Sequence, residues 1–333
     1  MDNQIKAHLC ALGTAITWGS AYPVTKLAIA GYSTNAIGFL RCFTSMLALM
    51  AIVLLKGMGG PKKEDIPAFI AGGAFGFALY LIPFNLGLTR LTASTSSVIV
   101  ATSPIFAAIF ALLLFKEKIR PQAWLAMLLS FGGIVVLTCW NGVFSVNTGI
   151  FYTLIAAMNL ALYSVIQRWF GKGYHPLSSV AYCYVVASVL MSFALPEAWR
   201  SLAAAPFSAT AACLWLGLVS GGLGYYLWST ALSIARTTSQ VTNYMFVTPV
   251  FATLISFILT RELPDAPTIL GGVIIISGLV LFNRLNKKEA EAEPANATAA
   301  NIQAVVQAGA SPAETATGGW EPAAKKGLAN EDL

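Results

Sequence analysis

The stretch at residues 103–117, SPIFAAIFALLLFKE, returns at residues 248–262 as TPVFATLISFILTRE. The two copies share Pro104/Pro249, Phe106/Phe251, Ala107/Ala252, Leu114/Leu259 and Glu117/Glu262, and Arg261 matches the charge of Lys116. The same offset of 145 residues runs outward without a gap to Gly72/Gly217, Gly76/Gly221, Tyr80/Tyr225, Ser94/Ser239, Leu125/Leu270 and Gly133/Gly278. Toward the N-terminus an offset of 142 aligns Gly31-Tyr32 with Gly173-Tyr174. Apolar residues coincide easily, but Gly, Pro and Glu in register do not, so the chain is internally duplicated.

Of the 333 residues, 57% are apolar and 10% charged, with a mean hydropathy of +0.71. Soluble domains hold about 45–50% apolar and about 25% charged residues, which excludes a soluble enzyme with one apolar core and disorder over most of the length. A helix crossing the hydrocarbon needs about 20 mostly apolar residues. Ten such runs are legible, at 7–26, 34–55, 66–88, 92–115, 121–140, 148–167, 176–195, 208–232, 238–259 and 265–283. The short alternating strands of a membrane barrel are absent. Trp18, Pro23 and Lys26 interrupt the first run and no small-residue cleavage site clearly ends it, so it reads as a retained span rather than a signal peptide. The expected fold is therefore an all-α polytopic membrane protein, with a first five-helix repeat at 1–142 and a second at 143–285. Residues 286–333, rich in Ala, Glu, Pro, Thr and Gly, read as a disordered cytoplasmic tail, where the Asn296-Ala-Thr298 sequon would go unused.

Loop lysines and arginines set the orientation. Thirteen fall on one side (Lys6, Lys56 and Lys116 among them) and four on the other (Lys26, Arg90, Arg200 and Arg261), which predicts that both termini are cytoplasmic. The net charge of +6 reflects this asymmetry and implies no nucleic-acid partner. Five helices per repeat is an odd number, so the repeats enter the membrane from opposite sides. That inverted topology is the architecture of alternating-access carriers, whose site lies near the midplane between the halves.

The duplication, Trp18-Gly19-Ser20 in the first span, Arg41 in the second, the Pro104 and Pro249 spans, and the Lys-Glu and Arg-Glu turns after them resemble the EamA-type drug/metabolite transporters. Among these the chain looks most like bacterial amino-acid exporters of the YddG kind. The resemblance covers residues 7–285. It implies a basket of helices one, three, four, six, eight and nine around a central cavity, with helices five and ten at the periphery, and it is the sole basis for expecting export rather than import.

Polar and aromatic residues near span centres nominate the substrate site: Trp18, Ser20, Tyr22, Tyr80, Asn85, Thr95, Ser103, Asn159, Tyr163, Tyr225, Trp228, Asn243 and Tyr244. Aromatics at span ends often form interfacial belts, and Ser or Thr often bonds its own helix, so about half of such positions are expected to face the cavity. Tyr80, Tyr163 and Tyr225 lead. Lys26 and Arg41 are the charges nearest the vestibule. Lys26 reads as snorkelling to the interface. Arg41 has two readings: a structural arginine bonded to helix-end carbonyls, or a lure or partner for a substrate carboxylate. Pro104 and Pro249, each expected to break one backbone hydrogen bond in mid-span, read as paired hinges. The Gly72-x₃-Gly76 and Gly217-x₃-Gly221 pairs read as close helix contacts.

All 14 acidic residues lie in loops, span ends or the tail, so no buried carboxylate is available to couple protons. The five cysteines read as apolar fillers, and no metal or cofactor is expected. The function predicted is a bacterial inner-membrane exporter of neutral amino acids, aromatic ones included, and related small metabolites. It works by alternating access as a uniporter, as a lipid-embedded monomer. The competing readings are an efflux carrier for amphiphilic drugs or other metabolites, possibly proton-coupled, and, much less favoured, a membrane enzyme or lipid-binding scaffold.

Overall fold

A computed structural model describes residues 3–116, 119, 121–139, 147–170, 174–235, 241, 243–282 and 284–285. Every regular element among them is helical. In chain order they are α1 (Asn3–Ile29), α2 (Thr34–Leu55), α3 (Lys63–Leu88), α4 (Ala93–Phe115) and α5 (Pro121–Cys139). The second half follows with α6 (Thr148–Ile166), α7 (Pro176–Leu190), α8 (Phe207–Ile234), α9 (Tyr244–Thr260) and α10 (Ala266–Phe282). The face at which α1 begins is called near and the opposite one far. The tail expected at 286–333 lies outside the described residues.

The ten expected runs each correspond to a helix, but their lengths differ from ten uniform spans of about 20 residues. Five (α2, α3, α4, α6 and α8) are long and apolar enough to cross a membrane individually. The seventh run breaks after Leu190 and bends by 50° into Ser192–Ala204. That extension carries Glu197 and Arg200 and leaves Trp199 73% exposed, the amphipathic composition of an interfacial helix.

Local chemistry explains the ends. Ser33, Thr92, Asn147 and His175 cap α2, α4, α6 and α7, each side chain accepting a hydrogen bond from a first-turn N–H. Partial burial and nearby Lys56 lower the pKa of His175 from 6.5, which favours the neutral ring whose Nδ1 accepts from Leu177 N at 3.2 Å. Ser33 and His175 are mates at the 142-residue offset. The mid-span prolines are a correction to the sequence reading. Rather than kinking a continuous helix, Pro104 and Pro249 each stand in the first turn of a new segment, Ser103–Phe115 and Thr248–Thr260. There the missing N–H has no partner to lose. Both segments end on a left-handed residue, Lys116 (φ 57°) and Arg261 (φ 58°). Mate residues thus share an unusual backbone state.

The packing repeats as the sequence does. α1 lies along α8 and α9, and its mate α6 lies along α3 and α4. α2 packs on α8 as α7 packs on α3, and the mates α2 and α7 meet each other. On the far face Tyr32 bonds Thr210 (2.8 Å). On the near face Tyr174 donates to Asp65 (2.8 Å), and both partners are repeat mates of the first pair. The mates Ser130 and Ile275 touch each other directly, the Ser130 hydroxyl donating to the Ile275 carbonyl at 3.1 Å. Equivalent contacts thus recur at repeat-mate positions on opposite faces.

The α5–α10 contact supplies a matched test. A Cβ on Gly133 would lie 2.6 Å from the Gly271 carbonyl oxygen, while one on Gly132 meets nothing within 4 Å. Gly133→Val is expected to lower the melting temperature of detergent-purified protein, an overpacking effect on the order of 1–3 kcal/mol. Gly132→Val should leave it unchanged. Equal shifts would mean that the α5–α10 crossing is not a close contact.

Candidate functional site

The candidate site starts from two widened helical turns. α3 winds as a π-helix over Ala74–Ala78 and α8 does so over Trp215–Leu223. Such turns are rare and gather at functional sites. Residues 219–223 are the repeat mates of 74–78, and two residues beyond each π segment stands one of the mate tyrosines, Tyr80 and Tyr225. The extra residue per turn re-aims the following side chains. Phe77, Tyr80 and Phe84 then project from α3 into the space between α1, α6, α7 and α8.

There the rings form two clusters. Trp18 lies 5.1 Å from Tyr225 and 5.2 Å from Trp228 between ring centroids. Tyr225 continues to Phe77 (5.7 Å) and Tyr184 (5.9 Å), and Phe77 to Tyr163 (5.3 Å) and Tyr184 (4.0 Å). Tyr22 and Tyr80 each pack 5.2 Å from Phe84. Trp18, Tyr80, Tyr225 and Trp228 keep partial exposure. Tyr22 and Tyr163 are exposed by only 6% and 3%, so the first four rings are half-buried and the other two buried.

Arg41 reaches the Phe84 cluster from α2. It is 7% exposed, and its guanidinium carbon lies 5.9 Å from the Phe84 ring centroid. Its Nε and Nη1 are buried and find no acceptor. Among the described residues it is the only charged side chain classed as buried.

Other nominated residues do structural work. Ser20 donates to Thr17 O and accepts from Trp215 Nε1. Asn85 Nδ2 donates to Thr34 O, tying α3 to α2. Thr95 bonds Thr92 and Thr268, joining α4 to α10. Asn159 bonds its own helix at Ile155 O, and Ser103 is buried beside Pro104. Tyr244 meets His8 at the near face (3.1 Å). The side chain of Asn243 lies outside the described residues. Phe77, Phe84 and Tyr184 went unnominated, although the 77/80/84 spacing already places three aromatic residues along one helical stripe.

Lys26 is also reassigned. Instead of snorkelling it forms an ion pair with Glu262, whose other oxygen accepts from Ala93 N and Ser256 Oγ, each at 3.3 Å. The left-handed Arg261 turns the chain back and delivers Glu262 to α1. One carboxylate therefore ties α1, the start of α4 and α9 together at the far face. α1 also packs against the far-face half of α4, so this end of the interior is drawn shut.

The profile of the EamA-like transporter family matches residues 5–139 and 147–284. "Uncharacterized transporter YdfC" of Bacillus subtilis is 30% identical over 81% of this chain and 90% of its own length. The "Probable terminal-alkyne amino-acid exporter" of Streptantibioticus cattleyicolor is 26% identical over 84% of this chain and 94% of its own. The "S-adenosylmethionine uptake transporter" of Rickettsia prowazekii is 25% identical over 76% and 83%. A solved crystal structure with 18% identity superposes with a TM-score of 0.57 over 86% of this chain and 99% of that one, a likeness of fold.

The far-face pair can be tested by a double-mutant cycle with Lys26→Met and Glu262→Gln, read by thermal melting in detergent. The side chains are 22% and 26% exposed, so a coupling of about 0.5–1 kcal/mol is expected. Glu262→Gln should be the costlier single change, because it also weakens the bonds to Ala93 and Ser256. Strict additivity would show that the pair contributes nothing.

Proposed function

The chain belongs to the EamA-like transporter family and is a multi-pass membrane transporter, and on that premise we propose that it exports amino acids and related small metabolites. The observation that carries this reading is the interior lining, in which Trp18, Tyr80, Tyr225 and Trp228 keep exposed faces deep in the bundle. Aromatic faces hold an ammonium group by cation–π attraction or stack on an aromatic side chain. Such a surface suits neutral and zwitterionic organic solutes. The names of the relatives support the solute class, since one is a probable amino-acid exporter and another takes up S-adenosylmethionine, itself an amino acid. They differ in direction, as expected of carriers that follow a gradient.

The mechanism proposed is alternating access, with residues 1–142 and 143–285 as the two inverted halves. The broken helices α4 and α9, at Pro104 and Pro249, are the bending points. The far-face contacts of Glu262 fit a state closed on that side. Among the described residues no acidic side chain is classed as buried, which supports uniport without proton coupling. Loop charge supports cytoplasmic termini in a bacterial inner membrane, and the protein is proposed to act as a monomer.

Uptake of radiolabelled phenylalanine, methionine and threonine into proteoliposomes, with and without an imposed pH gradient, tests the reading. Uptake is expected to ignore the gradient and to stop at equal concentrations. Accumulation driven by the gradient would overturn uniport, and competition by hydrophobic cations without amino-acid uptake would favour drug efflux. Tyr80→Ala should reduce apparent affinity about tenfold, the scale of one lost aromatic contact. Pro249→Ala should slow turnover with binding largely intact.

A further inference from the structure

Arg41 has no role in the packing that the fold requires. Its repeat mate at the 142-residue offset is Cys183, an uncharged residue fully buried at the equivalent place on α7. Both positions lie against a glycine of the neighbouring helix: a Cβ added to Gly72 of α3 would lie 2.9 Å from the Cys183 sulfur, and one added to Gly217 of α8 would meet Thr44 first and then the Arg41 backbone oxygen at 3.3 Å. On the Arg41 side this contact uses only the backbone, so it does not call for a guanidinium. Burying a cation without an acceptor is strongly unfavourable, yet Nε and Nη1 of Arg41 are buried and unpartnered. The basic residue at the far mouth cannot share its task, because Lys26 is engaged by Glu262.

We infer that Arg41 anchors the carboxylate of the transported solute. The guanidinium is a planar, permanently charged donor that matches a carboxylate. It stands beside Phe84, whose ring packs 5.2 Å from the half-buried Tyr80, the repeat mate of Tyr225. A solute would bring the missing acceptor and a compensating negative charge, while Trp18, Tyr225 and Trp228 receive its ammonium or side chain. A single guanidinium selects a monoanionic head group, since a phosphate would call for more cations than this interior offers. The inference rests on the amino-acid reading above and assigns the residue that makes the carboxylate obligatory.

The test compares phenylalanine, phenylalaninamide and phenethylamine as substrates in proteoliposomes, for the wild type, Arg41→Met and Arg41→Lys. The wild type is expected to prefer the acid by about tenfold or more, the scale of a charge-assisted hydrogen bond. Arg41→Met should bring the acid-to-amide ratio close to one while amide uptake persists, and Arg41→Lys should retain part of the preference. A merely structural arginine would depress all three solutes alike and leave the ratio unchanged, which overturns the inference. Should Arg41→Met fail to fold, the wild-type substrate series decides: equal uptake of acid, amide and amine overturns the anchor and leaves transport standing. A wild type that carries none of the three overturns the amino-acid reading itself, and this inference with it.

Discussion

Inside a bilayer no water is available to hydrogen-bond a free N–H or C=O, so a chain that crosses it must satisfy its backbone internally. That constraint makes this protein helical throughout its described membrane segments, and it also gives meaning to the places where the helices depart from regularity. α4 breaks at Thr102, α7 at Met191, and α3 and α8 widen into π turns. Each departure is affordable only where neighbouring helices cover it. The π segments lie behind Tyr80 and Tyr225, and the α4 break stands beside buried Ser103. Irregular backbone and the candidate site coincide because both need a protein-lined interior rather than lipid.

Close approach is the second constraint. Helices bathed in lipid gain little from burying apolar surface against each other and associate by dense packing of small residues. Gly72 and Gly76 admit Cys183 and Tyr163 to α3, Gly217 and Gly221 admit Thr44 and Ser45 to α8, and Gly133 meets Gly271 where α5 crosses α10. The glycines recur in mate positions because the two halves solve one packing problem twice. Even Tyr32–Thr210 and Tyr174–Asp65, on opposite faces, are the same hydrogen bond in duplicate.

Function enters where the duplication fails. Arg41 faces the interior from one half and Cys183 from the other, so a pseudo-symmetric scaffold encloses an asymmetric field. An asymmetric solute with a carboxylate at one end is suited to that arrangement. The far-face ion pair belongs to the same pattern. Its strength is expected to be small, as for any part-exposed pair.

The sequence by itself determined the membrane class, the ten helical runs, the duplication, and the identity of the mate tyrosines, prolines and glycines. These follow from composition and from residues whose backbone or size requirements are independent of context. It did not determine which rings converge. Trp18, Tyr225 and Trp228 meet in one cluster and Tyr22, Phe84 and Tyr80 in another, because a π turn shifts helical register by a residue that periodicity cannot register. Nor did it reveal that Lys26 meets Glu262, 236 residues away, or that Thr95, Ser20 and Asn85 spend their polar groups on neighbouring helices. Such outcomes depend on how each helix is rotated and where it crosses its neighbours. Only the packed tertiary structure decides that, and it alone left two buried nitrogens of Arg41 without a hydrogen-bond acceptor.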